Sequence, residues 1–129
     1  MDEHQDTIRD YRDLTVWKEA MDIAEHLYSL TRSFPREEAF GLTAQMRRAA
    51  VSIPSNIAEG FGRAQRKSFV QYLRIAQGSL KELETQAMLS VRVGYLTSQQ
   101  QDEFLDRTTR LGKRLVQFVR SLEPPDETK

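Results

Sequence analysis

The stretch SIPSNIAEGFGR, Ser52–Arg63, decides how the chain is read. It sets a proline inside an apolar-periodic run, then Ser, Asn and Glu at helical spacing, then two glycines and an arginine. Three readings compete: a catalytic loop, a phosphate cradle, or the bend and end of a packed helix. At about 100° per residue, Gln45, Arg48, Ser52, Asn56 and Glu59 share an arc of about 80°. It borders an apolar arc of Leu42, Met46, Ala49, Ala50, Ile53 and Ile57. Pro54 removes the amide that would bond the carbonyl of Ala50, and its ring opens that turn into an expected kink. Freed carbonyls need donors, and Ser and Asn nearby are suitable ones. Gly60 and Gly62 are expected to end the helix and turn the chain. Every residue of the stretch then has a structural task, because polar stripes beside a core are usually hydrogen-bond networks.

The reactive readings find less support. GFGR lacks a third glycine and a following Lys-Ser/Thr, and it follows a helix rather than a strand, so it is no phosphate loop. Ser52 or Ser55 as a nucleophile needs a base. The histidines are His4, near the N-terminus, and His26, on the polar face of the first helical pattern. Asp22 and His26, four apart, lack the second pair a metal site requires. Glu82 and Glu84 diverge by about 200° on a helix, which makes them a poor acid/base pair. Glu84, bordering the apolar stripe, is instead the expected ionic partner of Arg48. The polar stripe of Gln45, Arg48, Ser52, Asn56, Glu59 and Glu84 is therefore expected to be structural. No catalytic residue, cofactor or metal is expected.

Working outward, helical periodicity continues on both sides. A first pattern spans about Val16 to Arg32, with Trp17, Ala20, Met21, Ala24, Leu27, Tyr28 and Thr31 on one stripe. Val16, Ile23 and Leu30 form a second stripe beside it, and Thr15 is a candidate N-cap. SFPREEAFG breaks this helix at Pro35. The second pattern spans about 42–59. The third runs from about Arg66 to Arg92 and closes at Gly94. The fourth follows a Thr97 or Ser98 cap, with Gln100 or Gln101 completing a capping box. Its Phe104, Thr108, Leu111, Leu115, Phe118 and Leu122 alternate four and three apart, the seam spacing of packed helices. Short connections between long helices predict an antiparallel up-down-up-down four-helix bundle over residues 14–123. Residues 1–13 read as a flexible acidic extension and 124–129 as a disordered tail.

Bulk composition narrows the classes further. The chain has 129 residues, one domain's worth, and no cysteine, which removes disulfides and thiol chemistry. It has no apolar run near the roughly 20 residues of a membrane span, and its charged start is unlike a signal peptide. A cytoplasmic location and no membrane partner are expected. Formal net charge is zero, yet unevenly spread. Residues 1–38 carry five basic and ten acidic side chains, and residues 39–81 carry seven basic side chains against Glu59 alone. A positive middle permits local phosphate contact.

At LTVWKEAMDIA, FGLTAQMRRAAVSIPSNIAEGFGR and QYLRIAQGSLKELETQ the chain resembles the four-helix-bundle family named for intervening sequences of bacterial 23S rRNA genes. Trp17, Gln45, Arg48, Ser52, Pro54, Asn56, Ile57, Glu59, Gly60, Arg63, Gly78, Ser79, Glu82 and Glu84 all stand where that family's pattern puts them. The resemblance covers about residues 13–122. It implies a protomer that assembles into a ring-like homopentamer, in a family for which no enzymatic activity is established. It further implies kinship with the accessory variability protein of diversity-generating retroelements, which works with a reverse transcriptase and nucleic acid.

Assembly is also legible from the residues. Ile75, Gly78, Glu82, Leu89 and Val93 lie on the side of the third helix away from its core stripe, where apolar side chains and a glycine suggest another helix. Val16, Ile23 and Leu30 read as a second such stripe. Two functions follow as expectations. The first is a homo-oligomeric accessory module that contacts RNA, DNA or a nucleic-acid-handling protein through Arg63, Arg66, Lys67 and Arg74. The second is a protein-interaction scaffold that binds no nucleic acid.

Overall fold

The computed structural model describes residues 8–124, and the long elements among them are four α-helices, with no strand. They are α1 (Thr15–Thr31), α2 (Leu42–Gly62), α3 (Arg66–Arg92) and α4 (Ser98–Leu122). Each helix packs against two others, in the ring α1–α2–α3–α4–α1, which is the four-helix bundle expected from the periodicity. Ile23, Leu27, Met46, Ile53, Ile57, Leu73, Leu80, Leu83, Phe104, Leu111 and Leu115 fill its axis and are fully buried. Each such side chain stabilises the fold by about 1.5–3 kcal/mol relative to exposure.

The helix ends show local chemistry at work. Thr97 caps α4, its hydroxyl accepting from the amide of Gln100 while the Gln100 side chain accepts from the amide of Thr97. That is the expected capping box. Gly94 takes φ +88 just past α3, and the amides of Gly94 and Tyr95 donate to the carbonyls of Val91 and Ser90. This is a Schellman closure, and it needs a residue without Cβ. At the start of α2 the cap Gly41 has no side chain, so Glu38 serves from the preceding 3-10 turn Arg36–Glu38. Its carboxylate accepts from the amide of Leu42 at 2.9 Å and from the hydroxyl of Tyr95 at 2.8 Å. Those bonds, the backbone one foremost, hold its pKa below the usual carboxylate value.

Several sequence expectations are corrected. Thr15 is the first helical residue rather than the cap; Leu14, buried and preceded by the 3-10 turn Tyr11–Asp13, takes the cap position. The extension expected over residues 1–13 is folded from Ile8 onward, where Ile8 and Tyr11 pack on the core and the Tyr11 ring meets Trp17 edge-on. Residues 1–7 and 125–129 lie outside the described part.

On α1 the core draws on both stripes: Val16, Ile23 and Leu30 of the second are buried with Ala20 and Leu27 of the first, while Met21 and Tyr28 face outward. The spacing of 4, 3, 4 and 3 fits a seam between two neighbours, whereas Tyr28 can sit on the rim beneath the Arg47 guanidinium, 4.5 Å from its ring. Gly60 does not end α2 but lies buried inside it, and the left-handed turn after the helix falls on Ala64, at φ 62.

Candidate functional site

The stretch around Pro54 runs down the α2/α3 seam. Pro54 itself is buried inside α2, which continues through it to Gly62. Asn56 donates to the carbonyl of Ser52 at 2.8 Å and to its hydroxyl at 2.9 Å, and Ser52 exchanges a 2.8 Å hydrogen bond with Ser79 of α3. The carbonyl that Asn56 serves is thus that of Ser52, not the Ala50 carbonyl freed by the proline. One turn further, Arg63 donates to Glu59 at 2.9 Å and to the Tyr72 hydroxyl at 2.7 Å. Gly60 sits between these two clusters. A Cβ there would stand 2.5 Å from Cβ of Tyr72, so the glycine lets the two helices approach closely.

The rest of the expected polar stripe divides. Gln45 and Arg48 lie on the same flank of α2 but are exposed. Glu84 does not pair with Arg48. It bonds Lys81 at 3.1 Å on the α4 side of α3, its side chain only 12% exposed. Positions 48 and 84 each flank their own helix's core arc, but on sides of the seam that do not meet, which single-helix periodicity cannot reveal.

No reactive constellation forms around these groups. His26 lies against Phe104, with ring centroids 5.6 Å apart, and burial holds its pKa below the usual value, aided by Arg107 and opposed by Glu103. Its Nδ1 has no hydrogen-bond partner, and Asp22 and His26 gather no third ligand; no metal-holding group occurs among the described residues. Likewise no described helix is long and apolar enough to cross a membrane.

The four candidate cations differ in state. Arg63 is engaged as above, and Arg74 pairs with Glu123, just past the end of α4. Arg66 and Lys67 occupy the first turn of α3, exposed. Among the expected assembly residues, Ile75, Leu89 and Val93 are 51%, 47% and 51% exposed, and a Cβ at Gly78 would meet nothing within 4 Å. Glu82 is exposed on that face and accepts a hydrogen bond from Gln86. Sequence reasoning missed a second outward apolar group. Met21 and Tyr28 of α1 and Val51 of α2 line a groove between those helices together with Trp17. Phe40, 99% exposed on the turn before α2, was also unflagged. Only tertiary placement separates such residues from core ones.

Comparison with known proteins agrees with this architecture. A protein of unknown function from the S23 ribosomal protein family of Bacteroides thetaiotaomicron has a crystal structure that superposes with a TM-score of 0.76 at 24% identity. The match covers 81% of this chain and 98% of that one. No curated protein matches. The sequence model described as 23S rRNA-intervening sequence protein matches residues 12–117, most of the chain and every helix in whole or large part. The chain therefore belongs to the 23S rRNA-intervening sequence protein family.

Proposed function

We propose that the chain is a self-assembling, non-catalytic helical module, accessory to nucleic acid or to a protein that handles it. The observation that carries the assembly reading is the outer face of α3. A glycine inside a helix costs roughly 0.5–1 kcal/mol relative to alanine, and nothing among the described residues uses the space Gly78 leaves. Ile75, Leu89 and Val93 are spread along the same face and are half exposed. A second helix packed lengthwise on this face would bury them. Its source would be another copy, and a different face such as the Met21–Tyr28–Val51 groove is apolar enough to receive it. Docking between unlike faces gives a ring where the rotation closes, and the homopentamer is the ring proposed.

Sedimentation of the full chain tests this. An oligomer that Leu89→Glu with Val93→Glu converts to helical monomers is expected; a monomeric wild-type chain at micromolar concentration would overturn the reading.

The nucleic-acid reading is supported by Arg66 and Lys67. Cations in a first turn oppose the helix dipole, at roughly 0.3–1 kcal/mol each, so their placement does not serve stability. An anionic partner would offset that cost. Binding of a single-stranded RNA oligonucleotide that weakens steeply with salt is expected. In the triple variant Arg63→Glu, Arg66→Glu, Lys67→Glu, lost RNA binding with intact assembly favours this reading, and dissolved assembly favours the scaffold.

A further inference from the structure

The groove between α3 and α4 lies away from the outer face of α3 and plays no part in the assembly just described. It encloses about 650 Å³. Its floor is Leu80, Gly112 and Val116; its rim carries Lys81, Lys113 and Arg120; and no carboxylate-bearing residue lines it. Lys81 shares its charge with Glu84 beneath it, while Lys113 and Arg120 form no ion pair with the described residues. Gly112 keeps this floor low. A Cβ there would meet Leu80 at 3.6 Å, an ordinary contact, so the interior of the bundle does not require a glycine.

We infer that this groove docks an amphipathic helix with acidic flanks, contributed by a partner protein. The inference rests on the accessory role proposed above. An apolar floor beneath a rim of one charge sign is complementary to a helix with an apolar stripe and carboxylates beside it. Lys113 and Arg120 are seven residues apart on α4, about 10.5 Å along the axis, the heptad repeat of carboxylates on a helix laid alongside. A nucleic-acid strand suits the site less well. Strand-binding grooves supply aromatic faces for bases, and no aromatic residue lines this one. Phosphates would also lose hydration against the apolar floor.

The probe is a synthetic three-heptad helical peptide with a leucine stripe flanked by glutamates, read by fluorescence anisotropy on the full chain. Its controls are the same peptide with lysine for glutamate and a single-stranded RNA oligonucleotide. The glutamate peptide is expected to bind at least roughly tenfold more tightly than the lysine peptide. Gly112→Leu, which fills the floor, is expected to weaken it roughly tenfold, as is Lys113→Glu with Arg120→Glu. The second variant changes only exposed side chains and keeps the test decisive if Gly112→Leu fails to fold.

Equal binding of the two peptides, or indifference to both variants, would overturn the inference. So would displacement of the peptide by RNA in wild type but not in the Lys113→Glu, Arg120→Glu variant. Sedimentation of the same variants reads assembly separately. Loss of assembly in Gly112→Leu would assign the groove to a second copy and overturn the docking inference alone.

Discussion

The two sides of α3 are built differently. Toward α2 the seam is closed: Gly60 and a ladder of small polar groups, Ser52, Asn56 and Ser79, bring the backbones together and satisfy one another. Toward α4 the seam is open, with a glycine, a half-exposed valine and a cationic rim around unfilled volume. Both sides contain a glycine, yet the two have opposite meanings. Gly60 is required by what it touches, and Gly112 leaves room that nothing in the described protomer fills.

The sharpest break of that contrast is substitution of the two glycines. Gly60→Leu forces atoms into Tyr72 and Phe69 and should destabilise by about 3 kcal/mol, read as a drop in urea midpoint. Asn56→Leu at the same seam should cost roughly 1–3 kcal/mol, because the carbonyl and hydroxyl of Ser52 lose the side-chain donor they share. Unchanged melting would show that the polar ladder is not structural. Gly112→Ala should go the other way and stabilise by about 0.5–1 kcal/mol through helix propensity.

Glu38 extends the closed seam by linking the start of α2 to Tyr95 just past α3. Its folded pKa is depressed, so its contribution is present above the ordinary carboxylate value and is lost as pH falls through the folded one. Glu38→Gln should therefore lower Tm at neutral pH and converge with wild type only as pH falls through the depressed folded value. The smallest effect belongs to the α1/α4 seam. There Arg114 and Glu19 pair at 2.9 Å while half exposed and partly exposed, and a double-mutant cycle should return about 0.2–1 kcal/mol.

How much of this was legible follows from what each residue answers to. Helix boundaries and caps depend on neighbours within one turn, so the Thr97–Gln100 box and the Gly94 stop could be read directly. The α4 core also could as far as Leu115, because an alternation of four and three leaves one choice of face; beyond it Val119 is buried and Phe118 and Leu122 only partly. On α1 two adjoining stripes are both apolar, and the neighbours, not the periodicity, bury Val16, Ile23 and Leu30 with Ala20 and Leu27 while leaving Met21 and Tyr28 outside. Gly60 resembled a stop because a glycine that admits a partner and a glycine that ends a helix look alike in one dimension. The Arg48–Glu84 pairing failed for a related reason: each side chain's angle was known on its own helix, but the rotation of one helix against the other was not. Asn56 is expected beside a carbonyl freed by Pro54, and the carbonyl it serves is that of Ser52 rather than Ala50.

The brevity of residues 63–65, which join α2 to α3, bears on the order of events when the chain folds. Closing so short a loop costs little entropy, so this hairpin can nucleate before α1 and α4 are recruited. Its single left-handed non-glycine, Ala64, then sits at the hinge of the nucleus. Relieving it with glycine should accelerate refolding, whereas alanine at position 112 should chiefly slow unfolding.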